Sequence, residues 1–281
     1  MNFHQVPGEV AWHIRQLFSK PHPIVRRDMS RGERKRVFFY KSPGSQSGST
    51  FLRHEQLAGV FSKITDTIIT DDIKKVDCDS ILIGAKGTLD QLALARETAL
   101  APRPLFLYDP VDELINPARL RGRIDGLIAS SYNQYNALVS TIGCPVYCLL
   151  HHVDFRIPRQ HQMTSRCSIG YFGAQGNAFI PPEISKSIDF VDATRPMVND
   201  WFARLGDYAC HYCVRRKREK SHSYKPSTKL YLAACVGVAV ITTRDESDAG
   251  ILLPPDYPFF LESRNAKSII ELLEYVRESF G

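Results

Sequence analysis

Short apolar runs of branched and aromatic residues recur along this chain with helix-like segments between them, and that alternation constrains the fold more than any other feature. VFFY (Val37 to Tyr40), the DTIITDD stretch, SILIGA (Ser80 to Ala85), PLFLYD, IDGLIASS and PVYCLL form the first series. Their length and residue types read as buried strands. Between them, FLRHEQLAGVFSKI places Leu52, Leu57, Val60 and Phe61 at amphipathic-helix spacing, with Ser49 or Thr50 as its expected cap. LDQLALARETAL and SYNQYNALVSTIG are the next helix candidates. Strands separated by helices imply a parallel sheet covered on both faces.

The polar, proline-containing segment FRIPRQHQMTSR (Phe155 to Arg166) has neither periodicity and reads as a linker. A second series follows it. CSIGYFGAQGNA is a strand and a glycine-rich turn, SIDFVDA, DYACHYCV and VAVITT are strands, KLYLAACVG is a buried helix, and KSIIELLEYVRES closes the chain as a helix. At 281 residues the chain is long for one core and ample for two. The expected architecture is therefore α/β with two Rossmann-like lobes: residues 1–154, a linker over 155–166, and residues 167–281.

Composition excludes several classes. Hydrophobic residues at 43% and charged residues at 23% are ordinary globular values, and no apolar run is long enough to cross a bilayer. The first residues carry acid and no continuous apolar core, so no export signal and a cytoplasmic address are expected. Seven cysteines, an odd and scattered set, suggest reduced thiols. Cys210 and Cys213 have metal-motif spacing, but strand alternation would put them on opposite faces, and no metal is expected. The net charge of +6 gathers in RRDMSRGERKR (Arg26 to Arg36) and RRKREK (Arg215 to Lys220), either anion-attracting patches or solvated faces. Basic residues are not interleaved with aromatics in a stripe, which disfavours nucleic acid as a partner.

The stretch SYKPSTKLYLAACVG carries the sharpest chemistry. Proline favours the first helical position, so Pro226 is expected to open a helix whose first turn holds Ser227, Thr228 and Lys229. Amides there have no partner within the helix, and lysines at a helix N-terminus oppose the macrodipole by about 0.3–1 kcal/mol each. A phosphate would reverse that cost, giving Lys225 and Lys229 a role; the alternative is that both point into water. GYFGAQGN supplies a second loop, with Gly170, Gly173 and Gly176 after an apolar strand, where glycines let amides approach a phosphate or simply make a tight turn.

Taken in order, these segments resemble the GT-B glycosyltransferases, in particular the family 4-like group, whose two Rossmann-like lobes face each other. SGSTFLRHEQLAGVF is similar to the first loop and helix of the acceptor-side lobe, and HHVDFRI to the strand exit that leads into the linker. IGYFGAQGN resembles the first strand and loop of the donor lobe, and KPSTKLYLAACVGVAVI its donor-site helix. Two departures stand out. Leu232 and Tyr224 occupy the places of the group's paired glutamates, and Ala239 replaces its usual proline.

The resemblance implies transfer of a sugar from a nucleotide-sugar donor to a glycan, lipid or small-molecule acceptor, without a metal or other cofactor. The leaving diphosphate would be held by Lys225, Lys229, Ser227, Thr228, Arg215, Gly173 and Gly176. Glu246 would contact ribose or sugar hydroxyls, with Asp245 and Asp248 as rivals or as members of a solvated turn. An inverting reaction needs a base on the first lobe. Asp112 is the first choice and His152 the second, the latter with a structural alternative; Asp109, Glu113, His54, His151 and Asp154 lie in the same region. Ser47, Gly48 and Ser49 form an expected acceptor-side loop. Arg218 and Lys220 are solvated or touch an anionic acceptor or membrane surface, which leaves peripheral attachment to the inner face of a membrane open. A nucleotide-sugar epimerase or hydrolase and a non-catalytic nucleotide-binding partner are the rival functions.

Overall fold

The computed structural model describes residues 36–45, 48–113, 115–157, 167–194, 201–216 and 224–280. They form two compact units. The N-terminal unit takes the described residues from 36 to 154 together with 224–226, and the C-terminal unit those from 155 to 216 together with 227–280. Of the expected linker only 155–157 are described, and most of both basic clusters lies outside the described residues.

Six strands build the first sheet: β1 (Val37–Tyr40), β2 (Thr67–Thr70), β3 (Ile81–Gly84), β4 (Leu105–Tyr108), β5 (Gly126–Ala129) and β6 (Val146–Cys148). Their order is β2-β1-β3-β4-β5-β6, and every pairing is parallel. Alternation along β1 feeds two cores: Phe38 and Tyr40 join Leu82, Leu92, Phe106 and Leu127 on one face, while Val37 and Phe39 join Leu57, Ile83 and Ile128 on the other. Burial on both faces is why these strands are continuously apolar in sequence. A Cβ on Gly84 would come within 2.3 Å of Leu92 Cδ1, so helix α2 (Leu89–Thr98) packs against bare backbone there.

The first helix, α1, departs from its expected start. It is already helical over Gly48–Thr50, is π-helical over Phe51–Gln56 and returns to α-helix over Leu57–Phe61. Thr50 has helical angles (φ −63°, ψ −45°) and makes no side-chain cap, so it is part of the helix. The π-helical segment turns both Arg53 and His54 inward, where each is 0% exposed. Helices α3 (Pro117–Leu120) and α4 (Tyr132–Leu138) complete this unit, capped by the Asn116 and Ser131 side chains.

The C-terminal unit holds β7 (Ile169–Phe172), β8 (Asp189–Val191), β9 (Cys210–Tyr212) and β10 (Ala239–Ile241) in the order β10-β9-β7-β8, again parallel. Helix α5 spans Thr228–Val236, closes on Gly237 at φ 73°, and is followed by α6 (Ala249–Leu252) and α7 (Ala266–Phe280). Left-handed backbone at Gly237 stops α5 without the strain a side chain would add. Ile269, Leu273 and Val276 repeat at helical spacing and form the buried stripe of α7. Among the described residues no helix is long and apolar enough to cross a membrane.

Candidate functional site

Parallel strands deliver their exits to one edge, and in the C-terminal unit that edge gathers Arg215, Ser227, Lys229 and Glu246 of the expected donor-side residues. Arg215 leaves β9 in an antiparallel bridge with Ala178, so the glycine-containing loop after β7 folds against it. Lys229 lies in the first turn of α5, and Glu246 in the loop after β10. Arg215, Ser227, Lys229 and Glu246 line one cavity with Cys213 and Thr242. Its volume, about 10 Å³, admits one water-sized group.

The geometry inside is specific. Arg215 Nε lies 2.8 Å from Glu246 Oε1, with both side chains 11% exposed. Arg215 Nη1 is buried and has no hydrogen-bond partner among the described residues. Lys229 Nζ stands 4.9 Å from the centre of the Tyr171 ring, a cation–π contact. A Cβ on Gly173 would sit 3.1 Å from that ammonium, and Gly173 adopts φ 143°. Gly173 therefore serves the site by leaving room for Lys229. Burial drives the Glu246 pKa up, against the opposing charges of Arg215, Lys229 and Arg264. Asp245 adds to the upward shift.

Helix α5 begins two residues later than expected: Ser227 is its N-cap and Pro226 precedes the cap. Ser227 makes no side-chain cap; its hydroxyl accepts a hydrogen bond from the Asp248 amide at 3.2 Å. The loop it holds contains Ser247 at φ 48°, a strained angle for a residue with a side chain. Thr228 is the first helical residue. Gly176 is exposed in the short helical turn Gln175–Asn177 and does not line the cavity.

Lys225 has another partner. It belongs to the N-terminal unit, where its ammonium lies 3.1 Å from Asp112 Oδ2. Ser131 Oγ donates to the Tyr224 carbonyl at 2.9 Å and fixes the segment there. Asp112 also takes Lys86 at 2.5 Å. Burial pushes its carboxyl up, but hydrogen bonds and charge from Lys86 and Lys225 hold it below the usual range. A carboxylate so stabilised is a weak base.

Asp109, Glu113, Asp154 and His152, also singled out in this unit, each have a side-chain partner within it. Asp109 pairs with Arg53 at 2.8 Å, Glu113 accepts from the Tyr108 hydroxyl, and Asp154 accepts from Gln56 Nε2 at 2.7 Å. That last bond orients the Gln56 amide, so its oxygen faces His152 Nε2 at 3.2 Å and this nitrogen carries the proton. Burial, then His151, lowers the His152 pKa to about 4. Gly48 and Ser49 lie in the first turn of α1, and Ser47 lies outside the described residues.

Cys210 and Cys213 are both buried, and burial raises both thiols, Cys213 to about 12. Among the described residues no group of three His, Cys, Asp or Glu side chains could hold a metal ion. Three contributors went unmarked in the sequence: Tyr171, Lys86 and Arg264. Lys86 follows the SILIGA strand, and ligands of open α/β sheets gather beyond the carboxyl ends of strands, which is the signal that could have found it. No protein-family model and no curated protein matches the chain.

Proposed function

We propose that the chain is a glycosyltransferase of the GT-B kind, metal-independent, moving a sugar from a nucleotide-sugar to a glycan, lipid or small-molecule acceptor, with the C-terminal unit as donor lobe. The observation that carries this reading is the anion-ready edge of the four-stranded sheet. There a buried Arg215 nitrogen with no hydrogen-bond partner among the described residues, the Lys229 ammonium and the N-terminus of α5 meet around one cavity. Sugar transfer leaves a nucleoside diphosphate, and cations fixed before the reaction stabilise the charge that develops on it. The small cavity suits a single phosphoryl oxygen, so the rest of a diphosphate would lie at its mouth. Glu246, engaged by Arg215, is less available to a sugar hydroxyl than a solvated carboxylate would be.

A second reading, a non-catalytic nucleotide-binding partner, is favoured by one observation: Asp112 and His152 are both weak bases where they sit. Two measurements separate the readings. Uridine, guanosine and adenosine diphosphates should raise the melting temperature of the protein, and Lys229→Ala should abolish that rise. An unchanged response in the variant would remove the site from the proposal. Turnover of a nucleotide-sugar with added acceptor would support the transferase, and binding without turnover the second reading.

A further inference from the structure

Arg264 lies in the turn that leads into α7, and its donors are directed at both loops that carry the anion site. Its guanidinium grips Asp245 in a two-point pair, Nη1 to Oδ2 at 2.9 Å and Nη2 to Oδ1 at 2.7 Å. Nη2 also donates to Thr243 Oγ1 at 2.7 Å, and Nε to the Arg215 carbonyl at 3.3 Å. The side chain is 19% exposed, although Asp245 is 56% exposed. Such a fork holds its partner in one orientation, which a lysine cannot do.

The sheet alone does not fix this part of the site. The β9–β10 pairing ends at Tyr212 and Ile241, followed by one more bond from the Cys213 amide to the Ile241 carbonyl at 2.7 Å. Arg215 and Glu246 both lie beyond it, on separate strand exits. We propose that Arg264 is a positioning residue of the anion site, bridging the two exits so that Arg215 Nε stays on Glu246 and Nη1 stays available to an anion. This rests on the anion-binding reading above. It also accounts for Asp245, which is the handle by which the loop is held.

Two experiments test the role. The first needs no ligand: titrate the Glu246 carboxyl by carbon-13 NMR in the whole protein and in Arg264→Lys. That variant keeps the positive charge and loses the fork, so a change reports the movement of Arg215. The Glu246 midpoint should rise toward its value in Arg215→Gln; a midpoint equal to wild type overturns the proposal. The second uses uridine diphosphate and calorimetry. Arg264→Gln should weaken binding about tenfold in the wild-type background and less than about twofold in Arg215→Gln, because the second residue acts through the first. Equal weakening in both backgrounds would make Arg264 a structural staple and overturn the proposal. If wild type binds no diphosphate, the donor-site reading fails, while the carboxyl titration still decides the role of Arg264.

Discussion

The two sheets present their carboxyl edges in similar ways and partner the carboxylates there differently. Each edge has a carboxylate beside a side-chain-bearing residue at positive φ: Asp112 follows Val111 at 56°, and Glu246 precedes Ser247 at 48°. Strain of about 1–3 kcal/mol at such a residue persists only where surrounding contacts enforce it. Val111 is 3% exposed, and its carbonyl accepts from Ser130 Oγ at 2.6 Å and Gln134 Nε2 at 3.3 Å. Asp112 is then met by two lysines and held ionised, whereas burial raises the Glu246 carboxyl against the charges of Arg215, Lys229 and Arg264. The first edge is closed in that both lysines converge on one carboxylate; the second is open in that a buried Arg215 nitrogen has no hydrogen-bond partner among the described residues.

Beneath the closed edge lies the ion pair whose loss should do most damage. Arg53 is 0% exposed and joins Asp109 to the Leu149 and Leu150 carbonyls at 2.8 and 3.0 Å, tying α1 to the exits of β4 and β6. Arg53→Ala leaves a buried carboxylate without its cation, at a cost of about 3–5 kcal/mol. Hydrogen exchange should therefore speed up in β1, β3 and β4 and stay unchanged in β7 and β9. Unchanged protection in the first sheet would show that Arg53 does not hold that edge together.

Acid should also act on the N-terminal unit first. Burial lowers the His54 pKa to about 4, with Asp109 opposing the shift and Arg53 adding to it. Between about pH 6.5 and about pH 4 the unfolded chain binds a proton that folded His54 does not, so stability falls as pH falls through that window. One such histidine accounts for on the order of 3 kcal/mol. Urea midpoints followed by circular dichroism between pH 7 and pH 4 should drop steeply, and His54→Phe should flatten the drop. A variant with the wild-type slope would assign the acid sensitivity to other groups.

Much of the fold was legible because buried parallel strands announce themselves as apolar runs: VFFY, SILIGA and IGYF all lie where local sequence puts them. Tertiary contacts decided the rest. Lys225 and Lys229 look alike around Pro226, yet one reaches Asp112 and the other the Tyr171 ring, because the boundary between units passes between Pro226 and Ser227. No local spacing encodes that choice. Arg264 was invisible for the same reason, since its partners Arg215 and Asp245 are remote in sequence. The first turn of α1 was misread because a glycine and a serine look like loop when their helical hydrogen bonds cannot be seen.

The smallest effect should come from the closed edge itself. Lys86 is 38% exposed, and solvent-accessible ion pairs contribute about 0–1 kcal/mol. Asp112 would keep Lys225, so Lys86→Ala should lower the melting temperature by only a degree or two, within the range expected of a well-screened pair. Lys225→Ala alone should behave similarly, while the double variant should lose clearly more than the sum of the two. A partly buried carboxylate tolerates the loss of either cation but not of both. Strict additivity would mean that the lysines act independently of Asp112, and the contrast between a closed and an open edge would then rest on Glu246 alone.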